Sequence, residues 1–392
     1  MSAQTEDVKR LKERLEGHQG PVLSVYLSVN ARIPENQGQA YKVRLKDALR
    51  EMEALPEELA GRVRESVEDQ VHQHARTIVF FAAEDGLFER YDLQLDLPEA
   101  YRFGEPYLAP LVLALDEHES YGVALVEADE FRFFVSAPMG DPGEGNEGSS
   151  SGYFREVDLK PEGLYPVSGG STDMDPAGRT QQTNIYRFFK QAGETTQKLM
   201  ARDNVKNLII AGTKERTSDF LDALPEPVKE KVVAEGRIAT NAPAGEIVQQ
   251  FEEIQQEAER EREDGLIEQA RENGVRGVKD TIEALQEGRV FHLLALFDLE
   301  GEVRWCDHDE LAITNVAQKE CPYCGRDTRV RPLSDVLIDL ATARGARLKY
   351  VRARNDEVAE TPNEDVERQR NRENAADILR EEFEGLAGLL RY

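Results

Sequence analysis

Cys321 and Cys324, spaced as CxxC within CPYCG, are the residues of this 392-residue chain best suited to chemistry. Two thiolates at that spacing take two corners of a tetrahedral zinc site, and Cys306 and His308 in WCDHDE would supply the others. The Cys-x-His pair demands an unusual local turn. Two readings therefore stay open, a zinc site or a turn that keeps its CxxC without metal, and zinc is the one candidate cofactor. A redox role fits less well, because the motif does not open a helix after a thioredoxin-like βαβ pattern. The remaining histidines, His18, His72, His74, His118 and His292, are scattered. No HExxH, P-loop, GxSxG or GxGxxG stands in the context its mechanism needs. No catalytic constellation emerges, so the residues predict a binding factor rather than an enzyme.

The second group of interest lies in a polar segment from Ala137 to Gln182, rich in glycine, proline, serine and acid. It holds Gly169-Gly170, Arg179, Gln181 and Gln182. Loops longer than about 12 to 15 residues are uncommon within compact domains and are usually functional or disordered. This one is expected to reach outward. Two ordered elements hold its ends. Before it, Tyr121 to Ser136 alternates apolar and polar residues about a Glu-Ala-Asp-Glu turn and predicts a β-hairpin. After it, Gln182 to Arg202 predicts an amphipathic helix with Ile185, Phe188, Phe189, Ala192 and Leu199 near one face and Thr183 or Asn184 as cap.

A net charge of −27 opposes indiscriminate binding to nucleic acid or anionic membrane. It leaves room for a local patch, and the most basic surface of the N-terminal third is the helix carrying Lys42, Arg44, Lys46 and Arg50. No apolar run approaches the ~18 residues that cross a bilayer, and MSAQTEDVKR lacks a signal-peptide core. Three cysteines do not make a disulfide scaffold. A cytoplasmic protein without a membrane partner is expected.

Length and periodicity predict an α/β protein of three domains, 1–110, 111–265 and 266–392. The first alternates helices (Glu6–Glu16, Lys42 onward, Val63–His74) with strands at Val22–Val29, Thr77–Asp85 and Tyr91–Pro98. The second adds strands at Asn207–Glu215 and Gly236–Thr240, helices at Arg216–Leu224 and Pro227–Ala234, and a charged linker helix from Ala244 to Asn273. The third reads as a small α/β sandwich with strands at Val290–Phe297 and Arg347–Val351 and a helix stop at Gly345.

The third domain resembles the C-terminal domain of the archaeo-eukaryotic class 1 peptide-chain release factors and their relative Pelota. The likeness is carried by GVKDTIEALQEGRVFHLLAL (Gly277–Leu296), CPYCG, GARLKYV (Gly345–Val351) and FEGLAGLLRY (Phe383–Tyr392). In the middle domain it is carried by YGVALVEADEFRFF and YRFFKQAGETTQKLM followed by NLIIAGTKE. SVYLSV (Ser24–Val29) and PYLAPLVLAL (Pro106–Leu115) resemble the bacterial branch that includes the ribosome-hibernation factor Balon. The resemblance implies an RNase H-like middle domain, an L7Ae-like third domain and a tRNA-shaped whole that enters the ribosomal A site. It further implies rRNA of both subunits as partner, met through Gly169, Gly170, Arg179, Gln181 and Gln182 in the middle loop and through Arg32, Gln37, Lys42 and Arg44 in the N-terminal domain. A translational GTPase such as elongation factor Tu would meet the third domain. Release factors carry Gly-Gly-Gln in the middle loop, whereas here Gly169-Gly170 is followed by Ser171-Thr172. Stop-codon reading is not supported, since no NIKS-type motif is present. The resemblance thus favours a non-hydrolytic factor that protects idle ribosomes under stress, over a peptidyl-tRNA hydrolase using Gln181 or Gln182 or a nuclease using clustered acids.

Overall fold

The computed structural model describes residues 14–15, 20–31, 33–52, 54–68, 75–93, 96–117, 120–128, 130–137, 149–151, 153–159, 179–239, 242–352 and 374–391. It is a mixed α/β protein built on several sheets. In the N-terminal part, β1 (Val22–Ser28), β2 (Thr77–Ala82), β3 (Phe88–Leu93) and β4 (Ala100–Gly104) form an antiparallel sheet in the order β4-β1-β2-β3. β1 and β2 are apolar along nearly their whole length because both faces of this sheet are covered. On one face Leu23, Val25, Ile78 and Phe80 pack against α1 (Ala40–Glu51) and α2 (Glu57–Glu68). On the other, Val22, Tyr26, Val79 and Phe81 join a core shared with the C-terminal part. α2 starts well before the expected Val63, directly after Pro56, with Glu57 and Glu58 in its first turn where acids favour the helix dipole. Of the expected Glu6–Glu16 helix only Arg14 and Leu15 lie among the described residues.

The middle sheet has five strands in the order β10-β9-β5-β6-β8. The expected hairpin is β5 (Tyr121–Val126) and β6 (Phe131–Ala137), paired antiparallel from Tyr121↔Ser136 to Val126↔Phe131. The long polar segment is not wholly without regular structure. Within it β7 (Ser149–Ser151) runs parallel to β3 of the N-terminal sheet, and β8 (Tyr153–Glu156) adds an antiparallel edge to β6. The helix after it, α4 (Arg179–Arg202), begins three residues earlier than expected, so Thr183 and Asn184 lie inside it and do not cap it. α5 (Lys214–Ala223) follows β9 (Asn207–Gly212). The helix expected over Pro227–Ala234 is only the short α6 (Glu226–Lys229), and the strand expected from Gly236 is β10, Val232–Gly236. The β-branched pair Val232-Val233 prefers the pleated sheet to a helix.

The C-terminal sheet, β11 (Gly274–Arg276), β17 (Leu386–Leu390), β12 (Val290–Leu296) and β16 (Arg347–Val351), lies between α8 (Val278–Gln286) and α9 (Leu333–Arg344) on one face and α10 (Ala375–Glu382) on the other. Gly345 ends α9 in the left-handed region at φ 64°, as expected. A separate three-stranded sheet, β13 (Glu302–Cys306) between β14 (Leu311–Ile313) and β15 (Arg329–Pro332), carries the cysteines. Among the described residues no helix is long and apolar enough to cross a membrane.

Two elements join these parts. α3 (Ala109–Glu117) buries Leu111, Val112 and Leu113 in the core shared by the N- and C-terminal sheets. The 30-residue α7 (Ala244–Asn273) packs Ile247 and Phe251 on the middle sheet and Ile267 and Ala270 on the C-terminal one. Between those two contacts the buried Lys349 of β16 pairs with Glu259 and lies 3.8 Å from Glu263. Breaking a buried ion set by removing one partner leaves charge uncompensated and costs about 3–5 kcal/mol. Lys349→Met is therefore expected to lower the unfolding free energy by that order, read as a lower denaturant midpoint at unchanged slope. An unchanged midpoint would show that α7 does not depend on the pairing.

Candidate functional site

β13 ends on Cys306, whose side chain is buried, and the turn after it brings Asp309 back over the strand end. Cys321 and Cys324 come from a second turn, closed by the Gly325 amide donating to the Cys321 carbonyl at 2.9 Å and the Cys321 amide donating to the Arg326 carbonyl at 2.8 Å. Gly325 sits at φ 71°, where a side chain would be strained. The two turns bring Cys306, Asp309, Cys321 and Cys324 together with their ligand atoms all within 4.8 Å of one another. Among the described residues this is the one group of three or more His, Cys, Asp or Glu side chains so gathered.

The fourth side chain of the group is Asp309, not His308. The His308 ring is exposed and its Nδ1 lies 2.8 Å from Asp309 Oδ1, while Asp309 Oδ2 faces Cys321 Sγ at 3.1 Å and Cys306 Sγ at 3.6 Å. Cys306 Sγ and Cys324 Sγ are 3.5 Å apart. A tetrahedral zinc with sulfur and oxygen donors at its usual bond lengths has ligand–ligand edges of about 3.5–3.8 Å, so the spacing suits one ion. With an ion bound there, His308 would stand one layer out and orient the carboxylate, as outer partners of metal ligands do. Contact with the thiols and His308 holds the Asp309 carboxyl well below its usual range, and donation to Asp309 pushes the Cys324 thiol up to about 12. A bound dication would replace those protons, since thiolates ligate and thiols do not.

The resemblance implies two sets of RNA-facing residues, one in the middle loop and one in the N-terminal domain. Arg179, Gln181 and Gln182 fall in the first turn of α4. Gly169, Gly170 and Arg32 lie outside the described residues. Gln37 is exposed in a short 3-10 segment, Pro34–Gln39, and Lys42 is half-exposed on α1. Arg44 is committed internally: its guanidinium donates to Glu99 at 2.9 Å, to the Glu35 and Ser28 carbonyls at 3.0 and 3.2 Å, and to Asn36 Oδ1 at 2.5 Å. It holds the loop in shape instead of offering a free cation.

Residues 106–256, which contain the middle sheet, match the family model of bacterial archaeo-eukaryotic release factor family 10. Over those residues the chain is similar to that family. A Pelota homolog of Thermococcus kodakarensis is 30% identical over 138 residues, which is 32% of this chain and 39% of that relative, so the match spans about two fifths of the relative's length. Solved structures of archaeal translation termination factor aRF1 (16% identity, 99% of this chain and 98% of that one) and of Thermoplasma acidophilum Pelota (15%, 81% and 80%) both overlay with a TM-score of 0.24. A ribosome-bound archaeal Pelota overlays at 0.37, with 14% identity over 99% and 94% of the two chains.

The donor set predicts the metal content. The purified protein is expected to retain one zinc per chain after dialysis, with Cys321→Ser and Asp309→Ala losing it. His308→Ala should keep the ion with affinity weakened about 10- to 100-fold. Elemental analysis decides it, and if Asp309→Ala leaves metal and melting temperature unchanged, Asp309 is not a ligand.

Proposed function

We propose that this chain is a cytoplasmic ribosome-binding translation factor that occupies the vacant A site and protects idle ribosomes without hydrolysing peptidyl-tRNA. The observation that carries this reading is the release-factor family match over residues 106–256 in a chain whose middle loop has Gly169-Gly170 without the following glutamine. Similarity to release factors over residues 106–256 supports the ribosome as partner, and a translational GTPase at the third domain is part of the same proposal. Zinc on Cys306, Asp309, Cys321 and Cys324 is a structural ion in this reading, holding the second turn against β13.

Hydrolysis of the peptidyl ester needs a donor placed within hydrogen-bond reach of the attacked carbonyl, and a displacement of about 1 Å costs on the order of 10²-fold in rate. Ser171 and Thr172 stand where that side chain is required, and Asp173 and Asp175 follow, whose charge opposes approach to phosphates. Gln181 and Gln182 lie at the start of α4, which commits their backbone to a helix instead of an extended tip.

The protein is expected to co-sediment with vacant ribosomes and to compete with A-site tRNA. On ribosomes loaded with peptidyl-tRNA, neither wild type nor Gln181→Ala/Gln182→Ala should release the ester above background. Release by wild type that vanishes in the double variant would make the protein a hydrolase. Absence of ribosome binding at any salt concentration would sink the reading altogether.

A further inference from the structure

α4 divides sharply into two faces. Ile185, Phe188, Phe189, Ala192, Leu199 and Met200 are buried on the middle sheet, and Tyr186, Arg187, Lys190, Glu194 and Lys198 are all exposed on the opposite side. At ~100° per residue those five fall within one arc of about 120°. Tyr186 is 56% exposed, one of the few large apolar side chains left on the surface.

The charge of this helix runs against that of the chain. α4 contains five cations and one acid, whereas α7 contains three cations and ten acids and the whole chain carries −27. Elsewhere the abundant carboxylates take up arginines: Arg44, Arg76, Arg90, Arg132, Arg155 and Arg216 are all ion-paired. Arg187, Lys190 and Lys198 make no ion pair among the described residues. Glu194 stands four residues from each lysine and pairs with neither. Three cations that make no ion pair among the described residues, gathered around an exposed tyrosine on one helix face, form a surface complementary to an anion with planar bases.

We propose that the outer face of α4 is an RNA-docking surface, on which Arg187, Lys190 and Lys198 meet backbone phosphates and Tyr186 stacks on an unpaired base. Phosphate contacts of this kind supply affinity without sequence preference and release counterions. Base stacking on an aromatic side chain adds a salt-independent share. The three cations lie on a stretch of helix about 17 Å long, at 1.5 Å per residue, so several successive phosphates are within their reach. That the RNA is ribosomal rests on the proposed function; that the surface binds RNA does not.

The test measures binding of the full chain to vacant ribosomes and to poly(U) over a salt series. Arg187→Gln/Lys190→Gln/Lys198→Gln should reduce the slope of log K against log salt by about 2–3, at 0.7–0.9 per phosphate contact. Lys206→Gln/Lys214→Gln/Lys231→Gln removes equal charge from the same domain away from this face and should leave the slope nearly unchanged. Tyr186→Ala should weaken binding at least about fivefold with the slope preserved. Melting curves confirm that each variant folds. If wild type binds ribosomes and the α4 variant keeps its slope, the docking surface is wrong while the ribosome reading stands. If wild type binds poly(U) through α4 but not ribosomes, the reverse holds. Equal loss in both triple variants, or preference for poly-glutamate over RNA, overturns the proposal.

Discussion

The relation of the parts depends on α7 being buried twice. Its first half closes one face of the middle sheet through Ile247 and Phe251, and its second half closes one face of the C-terminal sheet through Ile267 and Ala270. A 30-residue helix is about 45 Å long, so neither contact reaches the other except through the helix itself. Lys349 pins the stretch between them, and its partners Glu259 and Glu263 are as buried as it is. Burying three charges is costly unless they answer one another. The pairing thus contributes less to net stability than to fixing which turn of α7 lies against β16. With that register set, the middle domain's outer surface, α4 included, has a defined position relative to the cysteine-bearing sheet.

Charge is segregated along this frame. α7 carries ten acids, and its thin apolar stripes leave most of its surface to them. α4 carries five cations against one acid. Averaged over the chain, a charge of −27 repels polyanions at long range. Screening confines that field to about 8–10 Å at physiological salt and to less at higher salt. At contact distance the local cations on α4 decide, and an acidic protein can therefore hold RNA on one face.

Much of this was legible in the sequence where the signal was local. The Tyr121–Ser136 alternation, the apolar runs of β1 and β9 and the Gly345 stop each specify their element within a few residues. Two prolines, Pro106 and Pro110, punctuate the start of the apolar run of α3. Yet Pro110 falls in the helix's first turn, where the missing N–H has no partner to lose. β7 is three serines whose pairing with β3 lies about 60 residues away in sequence, so no periodicity could announce it. Asp309 is legible in the sequence as well, since Cys306-x-x-Asp309 repeats the spacing of Cys321-x-x-Cys324. The internal role of Arg44 was not, because its partner Glu99 is 55 residues distant.

The cysteine-bearing sheet meets the N-terminal part through Glu105, which pairs with Arg329 and, at 3.0 Å, with Arg331. Arg329 also reaches Asp307, next to Cys306, and Arg331 reaches the Asp339 carboxylate of α9 at 2.7 Å. These pairs are partly exposed, and exposed pairs are worth about 0–1 kcal/mol each. Leu111, Val112 and Leu113 of α3, buried beside them, each contribute about 1.5–3 kcal/mol. Apolar burial therefore decides whether the N- and C-terminal parts dock, and the Glu105 pairs decide at which angle. A single carboxylate shared by two arginines of one strand can be exchanged without unfolding the core. The cysteine turns are thus coupled to the N-terminal sheet through β15, a strand of four residues, while the cores on either side stay intact.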